Sequence, residues 1–391
     1  MPFWPKEKGE KGTVLEHLVR AYQHLEKDIG TGRHNLIQLR MSDWNDQMTL
    51  LVTRNDPLDF ILTFFDGESA LNSAMACDIL PIFSGLLKAA GEGKQAAEVD
   101  AFYDRVKIGL QKQWLSQGWF PRAYSALGKS FGTREIFLEP QVWALLSDNL
   151  LSADQQDLLL KNIDRKLRQP SKLGMMISSD VKGSLFAKPG TQERGGIWFA
   201  INGPGAYALA RHNPEMGFEE LKKNTLAWHA IQYPELWYGI WSGPDSFNSV
   251  FSDRPGQTWL ESKIAGGPSL FPVMNNNSHG PMMWALARMA GFNPTAEGYL
   301  IDPLIPLEQY RLQTKFVGIE KNSDQISGYF IFPTEGWITL RVKLPPGFRD
   351  KIVVAVDGRE TIVDLQNHEA KFPVSFQAGK RVDWRINQGR R

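Results

Sequence analysis

IDPLIPLEQYRLQTKFVGIEKNSDQISGYFIFP, residues 301–333, is where the chain changes period. Pro303 and Pro306 cannot continue a helix, and the run that ends in GYFIFP is short, rich in β-branched and aromatic residues and punctuated by turn formers, as strands are. The same texture recurs in WITLRVKL (337–344), KIVVAVDG (351–358) and RVDWRIN (381–387), so residues 301–391 are predicted to form a β-domain.

Upstream the period is helical. TVLEHLVRAYQHLEKDIG (13–30) sets Val14, Leu15, Leu18, Val19, Tyr22 and Leu25 on one face, and Thr13 with Glu16 forms a capping-box pattern. Further helices are predicted near residues 69–90, 96–115, 152–168, 205–211, 218–231 and 281–290. The loops between them hold most of the Gly, Trp and Asn. Helical hairpins joined by such loops and followed by a β-sandwich describe a mainly α protein, an α/α barrel over residues 1–300 with its active site at the loop end.

Composition narrows the ligand. With 42% hydrophobic and 22% charged residues, the chain is neither disordered nor a coiled coil. A net charge of +1 offers no field to nucleic acid or anionic lipid, so an uncharged ligand is expected, with no nucleic-acid and no membrane partner. The single cysteine, Cys77 in SALNSAMACDIL, excludes an intrachain disulfide and a thiolate metal site, and reads as a small buried side chain. The 7 histidines never fall at metal-ligand spacing beside a carboxylate. No stretch resembles a signal peptide or approaches the roughly 18 apolar residues of a membrane span, which implies a cytoplasmic protein if the N-terminus is native. Of 13 tryptophans, all but Trp337 and Trp384 precede residue 310, and the functional reading turns on that excess.

Four loops carry candidate chemistry. RMSDWNDQM (40–48) packs Asp43, Trp44, Asn45 and Asp46 together. Sugar chemistry wants that mixture, because a ring face stacks on an aromatic while a carboxylic acid protonates the departing glycosidic oxygen; an Asx-rich helix cap reads equally well. QGWFPRAYSALG (117–128) and FLEPQVWALLS (137–147) offer Arg122, Tyr124 and Gln141 for hydroxyls, with Trp119, Glu139 and Trp143 beside them. KPGTQERGGIWFAINGPGAY (188–207) surrounds Gln192, Glu193 and Trp198 with glycines, without the preceding strand of a dinucleotide fold. The segment 235–280 is too long for an idle connection and carries Trp241, Asp245, Trp259, Glu261 and His279.

Taken together, GTVLEH (12–17), DWND (43–46), GES (67–69), WFPRAY (119–124), LEPQVWALLS (138–147), PGTQERGG (189–196), SGPD (242–245) and IDPLIP (301–306) resemble, in order and spacing, the cellobiose phosphorylase family of inverting glycoside phosphorylases, glycoside hydrolase family 94. The resemblance implies an (α/α)6 barrel of the six-hairpin glycosidase type with a C-terminal β-domain. It also implies a general acid at Asp46, Trp44 beside the donor sugar, and a sugar-binding Glu193. Gln192 stands where the family has Lys. Arg122, Tyr124 and Gln141 lie in matching segments, and Asp43, Trp198, Trp241 and His279 complete the expected sugar-binding set. No cofactor is implied, inorganic phosphate entering only as co-substrate of a phosphorylase.

The pattern departs from the family at the phosphate pocket. The family's His seven residues after the motif Glu is here Ala200, and Trp259-Leu260 is followed by Glu261-Ser262 instead of Thr-Gly. A carboxylate repels phosphate but suits an inverting hydrolase, whose base activates water from about 6.5–9.5 Å away. Hydrolysis of a β-linked glucan or oligosaccharide is therefore expected, with Glu261, or alternatively Asp245, as base. Phosphorolysis and a non-catalytic sugar-binding or assembly subunit are the alternatives. Family members carry a β-sandwich and further barrel helices before GTVLEH, so the chain is expected to be the C-terminal part of a barrel, with a missing N-terminal half or a homodimer partner covering its helices.

Overall fold

A computed structural model describes residues 12–40, 42–183, 188–236, 244–258, 279–345 and 351–387. The chain divides into two compact units, residues 1–169 with 177–180, and residues 170–176 with 181–391.

The first unit is helical. Helix α1 (Val14–Gln23) has the capping box that its sequence announced: Thr13 Oγ1 accepts from the Glu16 amide at 3.2 Å and Glu16 Oε2 accepts from the Thr13 amide at 2.6 Å. It runs on as a π turn (His24–Ile29) and stops at Gly30, whose φ of 69° suits a residue without Cβ. After α2 (Met48–Thr53) and α3 (Pro57–Asp66) come the two-residue strand β1 (Glu68–Ser69), helices α4 (Ala70–Ala89) and α5 (Gly93–Gln111), and strands β2 (Ala123–Tyr124) and β3 (Ser130–Phe131). β1, β2 and β3 form a small antiparallel sheet. Helices α6 (Leu138–Leu146) and α7 (Ala153–Ile163), the latter extended by a π turn (Asp164–Arg168), complete the unit.

α4 corrects one sequence reading. By length and composition it is apolar enough to cross a membrane, yet more than half of it is buried. It packs on α5 and α6, and that burial accounts for its composition. α6 corrects another, since LEPQVWALL is a helix and not a loop. Leu138–Val142 and Ala144–Leu146 are all buried, so no amphipathic period marks it, and Pro140 sits in the first turn, where a missing N–H costs nothing.

The second unit begins its helices with α8 (Phe199–His212), followed by α9 (Pro214–Lys223), α10 (Leu226–Gln232) and α11 (Gly280–Ala290). α8 starts earlier than expected and keeps Pro204 inside it. Its Gly203 lies against α11: a Cβ there would stand 2.6 Å from the Pro281 backbone. Strands β4 (Phe292–Thr295), β5 (Gly298–Ile301), β6 (Tyr310–Gln313), β7 (Val317–Lys321), β8 (Gln325–Ile331), β9 (Gly336–Lys343), β10 (Lys351–Val356), β11 (Arg359–Asp364), β12 (Glu369–Phe376) and β13 (Arg381–Asn387) follow. They form a six-stranded sheet, β11-β10-β13-β8-β7-β6, and a four-stranded sheet, β12-β9-β5-β4. All pairings are antiparallel except β5 with β9. Ile326, Phe330, Val382 and Trp384 of the first sheet share one apolar core with Leu340, Val342, Phe372 and Val374 of the second, and Ala206 of α8 and Met289 of α11 join it. In this unit the strands thus begin at Phe292, and the boundary expected at 300/301 falls inside β5.

Candidate active site

In the first unit, four of the singled-out motifs meet at one guanidinium. Asp43 of DWND is buried, where its Oδ2 accepts from Ser69 Oγ of GES at 2.5 Å and its Oδ1 accepts from the Asn45 amide at 3.0 Å. Arg122 of WFPRAY, 0% exposed, donates through Nη1 to Asp43 Oδ2 at 2.9 Å and through Nη2 to Asp43 Oδ1. Its Nε donates to Glu139 Oε1 of LEPQVW at 3.0 Å. The Arg122 amide donates to the Phe131 carbonyl at 2.7 Å, and Gly132 leaves room for it: a Cβ there would approach the Arg122 nitrogen to 2.9 Å.

The two carboxylates divide the work unequally. Burial alone would raise Asp43, but the Arg122 charge, its hydrogen bonds and the Ser69 hydroxyl outweigh it and hold Asp43 below the usual range. Burial raises Glu139, and Arg122, which meets only one of its oxygens, does not reverse that; Glu139 Oε2 is buried without a hydrogen-bond partner among the described residues. Burial therefore works against the charged form of Glu139, while Asp43 is held in its charged form by the guanidinium both of them meet.

This arrangement corrects three expected roles. Asp43 and Arg122 have their charged groups committed to each other and present none to a sugar. Gln141 is likewise fully buried and clasps backbone: Oε1 accepts from the Phe120 amide at 3.0 Å, and Nε2 donates to the carbonyls of Phe120 at 2.8 Å and Phe137 at 3.0 Å. Trp119 is core too, its Nε1 donating to the Gly132 carbonyl at 3.1 Å.

What the ion pair holds in place is the turn it starts. Asn45 Oδ1 accepts from the Gln47 amide at 2.9 Å and the Asn45 carbonyl accepts from Met48 at 2.9 Å, so successive Asx turns lead up to α2, whose N-cap, Gln47, makes no side-chain cap hydrogen bond. Trp44 is left half-buried and Asp46 exposed, with no ion pair on Asp46 among the described residues. Tyr124, half-buried, donates its hydroxyl to Gln113 Oε1 at 2.8 Å and lays its ring on His34 at 4.4 Å. Burial, then the Glu68 charge, pushes its phenol up to about 12. His34 Nδ1 meets Glu68 Oε2 at 2.5 Å, while Glu68 Oε1 accepts from the His34 amide at 2.9 Å. Sequence reasoning passed over His34, because its partner lies 34 residues away and no spacing marks the pair.

In the second unit, the third and fourth loops are joined. PGTQERGG closes through Gly190 N to Arg194 O at 2.8 Å and Gly196 N to Gln192 O at 2.9 Å, with Gln192 at a φ of 45°. Ile197 then pairs with Phe247, two residues after Asp245, and Ser249 N donates to Gly190 O at 2.8 Å. A Cβ on Gly190 would stand 2.4 Å from the Ser252 nitrogen, so this crossing needs glycine. The structure therefore brings the Gln192–Glu193 turn beside the segment that carries Asp245. Glu193 is buried, and Trp198, at the N-cap of α8, and Asp245 are half-buried. His229, also unmarked in the sequence, packs on Phe247 at 4.7 Å between ring centres, and its Nε2 meets the Gly256 carbonyl at 2.7 Å; burial lowers its pKa. His279 stands at the N-cap of α11 with Nε2 unpartnered among the described residues. Glu261, Trp241 and Trp259 lie outside the described residues. No metal-ligating cluster occurs among the described residues.

Residues 3–203 match the model of the Glycosyl hydrolase 94 superfamily, catalytic domain. No curated protein matches the chain. Among solved structures, similarity is found to an uncharacterized conserved protein from Thermus thermophilus, at 14% identity and a TM-score of 0.38, over 51% of this chain and 48% of that one. An alpha-L-rhamnosidase from Dictyoglumus thermophilum is 13% identical with a TM-score of 0.41, over 78% of this chain and 30% of that one. A GH127 beta-L-arabinofuranosidase from Geobacillus stearothermophilus T6 is 11% identical with a TM-score of 0.23, over 73% and 48%. The chain thus spans half or less of the length of these proteins.

Proposed function

Because the chain belongs to the Glycosyl hydrolase 94 superfamily, we propose that it is a carbohydrate-active enzyme, or the C-terminal part of one, that cleaves β-glycosidic bonds of a glucan or oligosaccharide with inversion. Its helices are those of a partial (α/α)6 barrel, and the strands from Phe292 onward are its C-terminal β-domain.

The observation that carries this reading is the sorting of the two carboxylates in DWND. Asp43 is sunk under Arg122 and fixes the turn, whereas Asp46, three residues on, is delivered exposed beside the half-buried Trp44. A general acid must be open to its substrate and must not be tied up in a salt bridge; Asp46 is exposed and without an ion pair among the described residues, and Asp43 is buried and paired. Asp46 protonates the glycosidic oxygen, Trp44 stacks a sugar ring, and a carboxylate, Glu261 or else Asp245, takes the proton of the attacking water. Glu193, Gln192, Trp198, Trp241, Tyr124 and His279 supply further sugar contacts. Ala200 and Glu261, where the family pattern has its phosphate-side residues, favour water over phosphate as the nucleophile.

The test is turnover of β-linked gluco-oligosaccharides by the chain in buffers with and without inorganic phosphate, the anomer followed by proton NMR. Inverted free sugar in phosphate-free buffer is expected. Strict phosphate dependence with release of a sugar 1-phosphate overturns the hydrolytic reading, and absence of turnover in both buffers overturns the assignment of activity to this chain.

A further inference from the structure

Each residue of GES (67–69) holds a different point of the segment that leads into DWND. The Gly67 carbonyl accepts from the Leu39 amide at 2.7 Å. Glu68, its side chain 1% exposed, places both oxygens on one short stretch: Oε1 accepts from the amides of His34 at 2.9 Å and Leu36 at 3.2 Å, and Oε2 meets His34 Nδ1 at 2.5 Å. Ser69 donates its hydroxyl to Asp43 Oδ2 at 2.5 Å and its amide to the Ile37 carbonyl at 2.8 Å. Gln38 bridges to Glu68 on one side while Tyr124 of β2 pairs with it on the other, so residues 37–39 run along the free edge of β1.

The fit around this clamp is close. A Cβ at Gly32 would stand 2.5 Å from Glu68 Cγ, and one at Gly109 of α5 would stand 2.6 Å from the His34 carbonyl oxygen. The His34 ring lies 4.4 Å from that of Tyr124. A carboxylate only accepts, so the proton of the His34–Glu68 bond belongs to Nδ1 and the bond is charge-assisted, the stronger kind. Among the described residues, the side-chain bonds of Glu68 all go to His34 and Leu36. Because Glu68 and Ser69 are consecutive, one strand grips this stretch at both ends: Glu68 at its start, and Ser69 at Asp43, where the turn that carries Asp46 begins. Two grips from one strand remove freedom that a loop held by Arg122 alone would keep.

Resting on the reading of Asp46 as general acid, we propose that Glu68 is a positioning residue for it, acting through His34 and the backbone of residues 34–36, with Ser69 completing the clamp. Proton transfer needs the acid within hydrogen-bond reach of the leaving oxygen, and a displacement of about 1 Å can cost about a hundredfold. The experiment compares kcat and KM of the full chain and its variants on an unactivated gluco-oligosaccharide and on a dinitrophenyl β-glucoside, whose leaving group needs little protonation. Glu68→Gln keeps an acceptor for the two amides but loses the charged partner of Nδ1. It and His34→Ala lower kcat on the oligosaccharide about tenfold or more, leave KM within about twofold and spare the aryl glycoside. His34→Asn, whose amide nitrogen stands one bond from Cγ as Nδ1 does, recovers most of the loss. Added to Asp46→Asn, Glu68→Gln removes nothing further on the oligosaccharide, because the acid it would place is gone. A far-downfield proton resonance from the His34–Glu68 bond is present in wild type and absent from Glu68→Gln, a readout independent of turnover.

Equal losses on both substrates mark a fold defect and overturn the proposal, as do wild-type kinetics in both variants, additivity with Asp46→Asn, or a missing resonance in wild type. A leaving-group effect in Asp46→Asn without one in Glu68→Gln strikes this inference alone. An Asp46→Asn variant without that effect, or a folded wild type that turns over neither substrate, removes the general-acid reading first and this inference with it.

Discussion

Arg122 lays both terminal nitrogens of its guanidinium on the carboxylate of Asp43, 79 residues earlier in the chain, and thereby turns DWND from a flexible acidic loop into a fixed one. The same guanidinium reaches Glu139 through Nε. One cation thus ties two loops and helix α6, whose likeness to a glycoside-cleaving family was visible only as separate motifs.

The pairing predicts unequal costs. Asp43→Ala strands the buried Arg122 charge and should destabilise the protein by about 3–5 kcal/mol in urea unfolding. Glu139→Gln keeps an acceptor for Arg122 Nε and removes a carboxyl whose charged form burial disfavours, so it should cost less than Asp43→Ala. Equal costs for the two substitutions would show that Glu139 carries as much charge as Asp43.

Asp46→Asn separates stability from activity. The side chain is exposed and without an ion pair among the described residues, so the melting point should be nearly unchanged, within about 0.5 kcal/mol of wild type. Turnover of unactivated oligosaccharides should fall about a hundredfold or more, while an aryl glycoside with a good leaving group, which needs little protonation, should lose far less. Comparable losses on both substrates would sink the general-acid role.

Acid stability follows from Asp43 and Asp59. For Asp59, burial works against the charge, but the Leu127 amide, Ser125, Lys129 and Thr63 together hold it below the usual range. A carboxylate whose folded pKa is depressed contributes stability that is complete above the unfolded value, about 3.9, and is lost as pH falls toward the folded one. Asp59→Asn should therefore flatten the acid limb of a stability–pH curve between about pH 5 and 2. Glu139 acts in the opposite sense: its folded pKa is raised, so stability falls as pH rises through it, and Glu139→Gln should remove that slope. An acid limb unmoved by Asp59→Asn would mean that the contacts on α3 do not hold the charge.

Cys77 should be chemically silent in the native protein. Burial pushes its thiol up to about 12, leaving almost no thiolate at neutral pH. An aromatic disulfide reagent at pH 8 should find no thiol before unfolding and 1 after it. Rapid native labelling would contradict the packing of α4.

The elements that the sequence announced are those whose pattern is local. The Thr13–Glu16 capping box, the helical period of α4, α5, α7 and α11, and the β13 strand RVDWRIN were legible because a cap spans three residues and an amphipathic period needs only its own helix or strand. α6 was missed because it is apolar nearly all round, and the start of α8 because Gly203-Pro204-Gly205 reads as a loop; Gly203 serves the approach of α11 instead.

The site divides along the same line. That Asp43, Trp44, Asn45 and Asp46 set two carboxylates beside an indole, and that the motifs follow the order of one family, was in the sequence. Which carboxylate is structural and which is free depends on Arg122 arriving from 79 residues away, and the inward rotation of Asp59 on α3 depends on backbone amides at Ala126 and Leu127. Sequence alone determined residue types and local periods. Tertiary structure decided their partners, because desolvation and a geometrically matched counter-charge arise only once distant segments have closed around the same few ångströms.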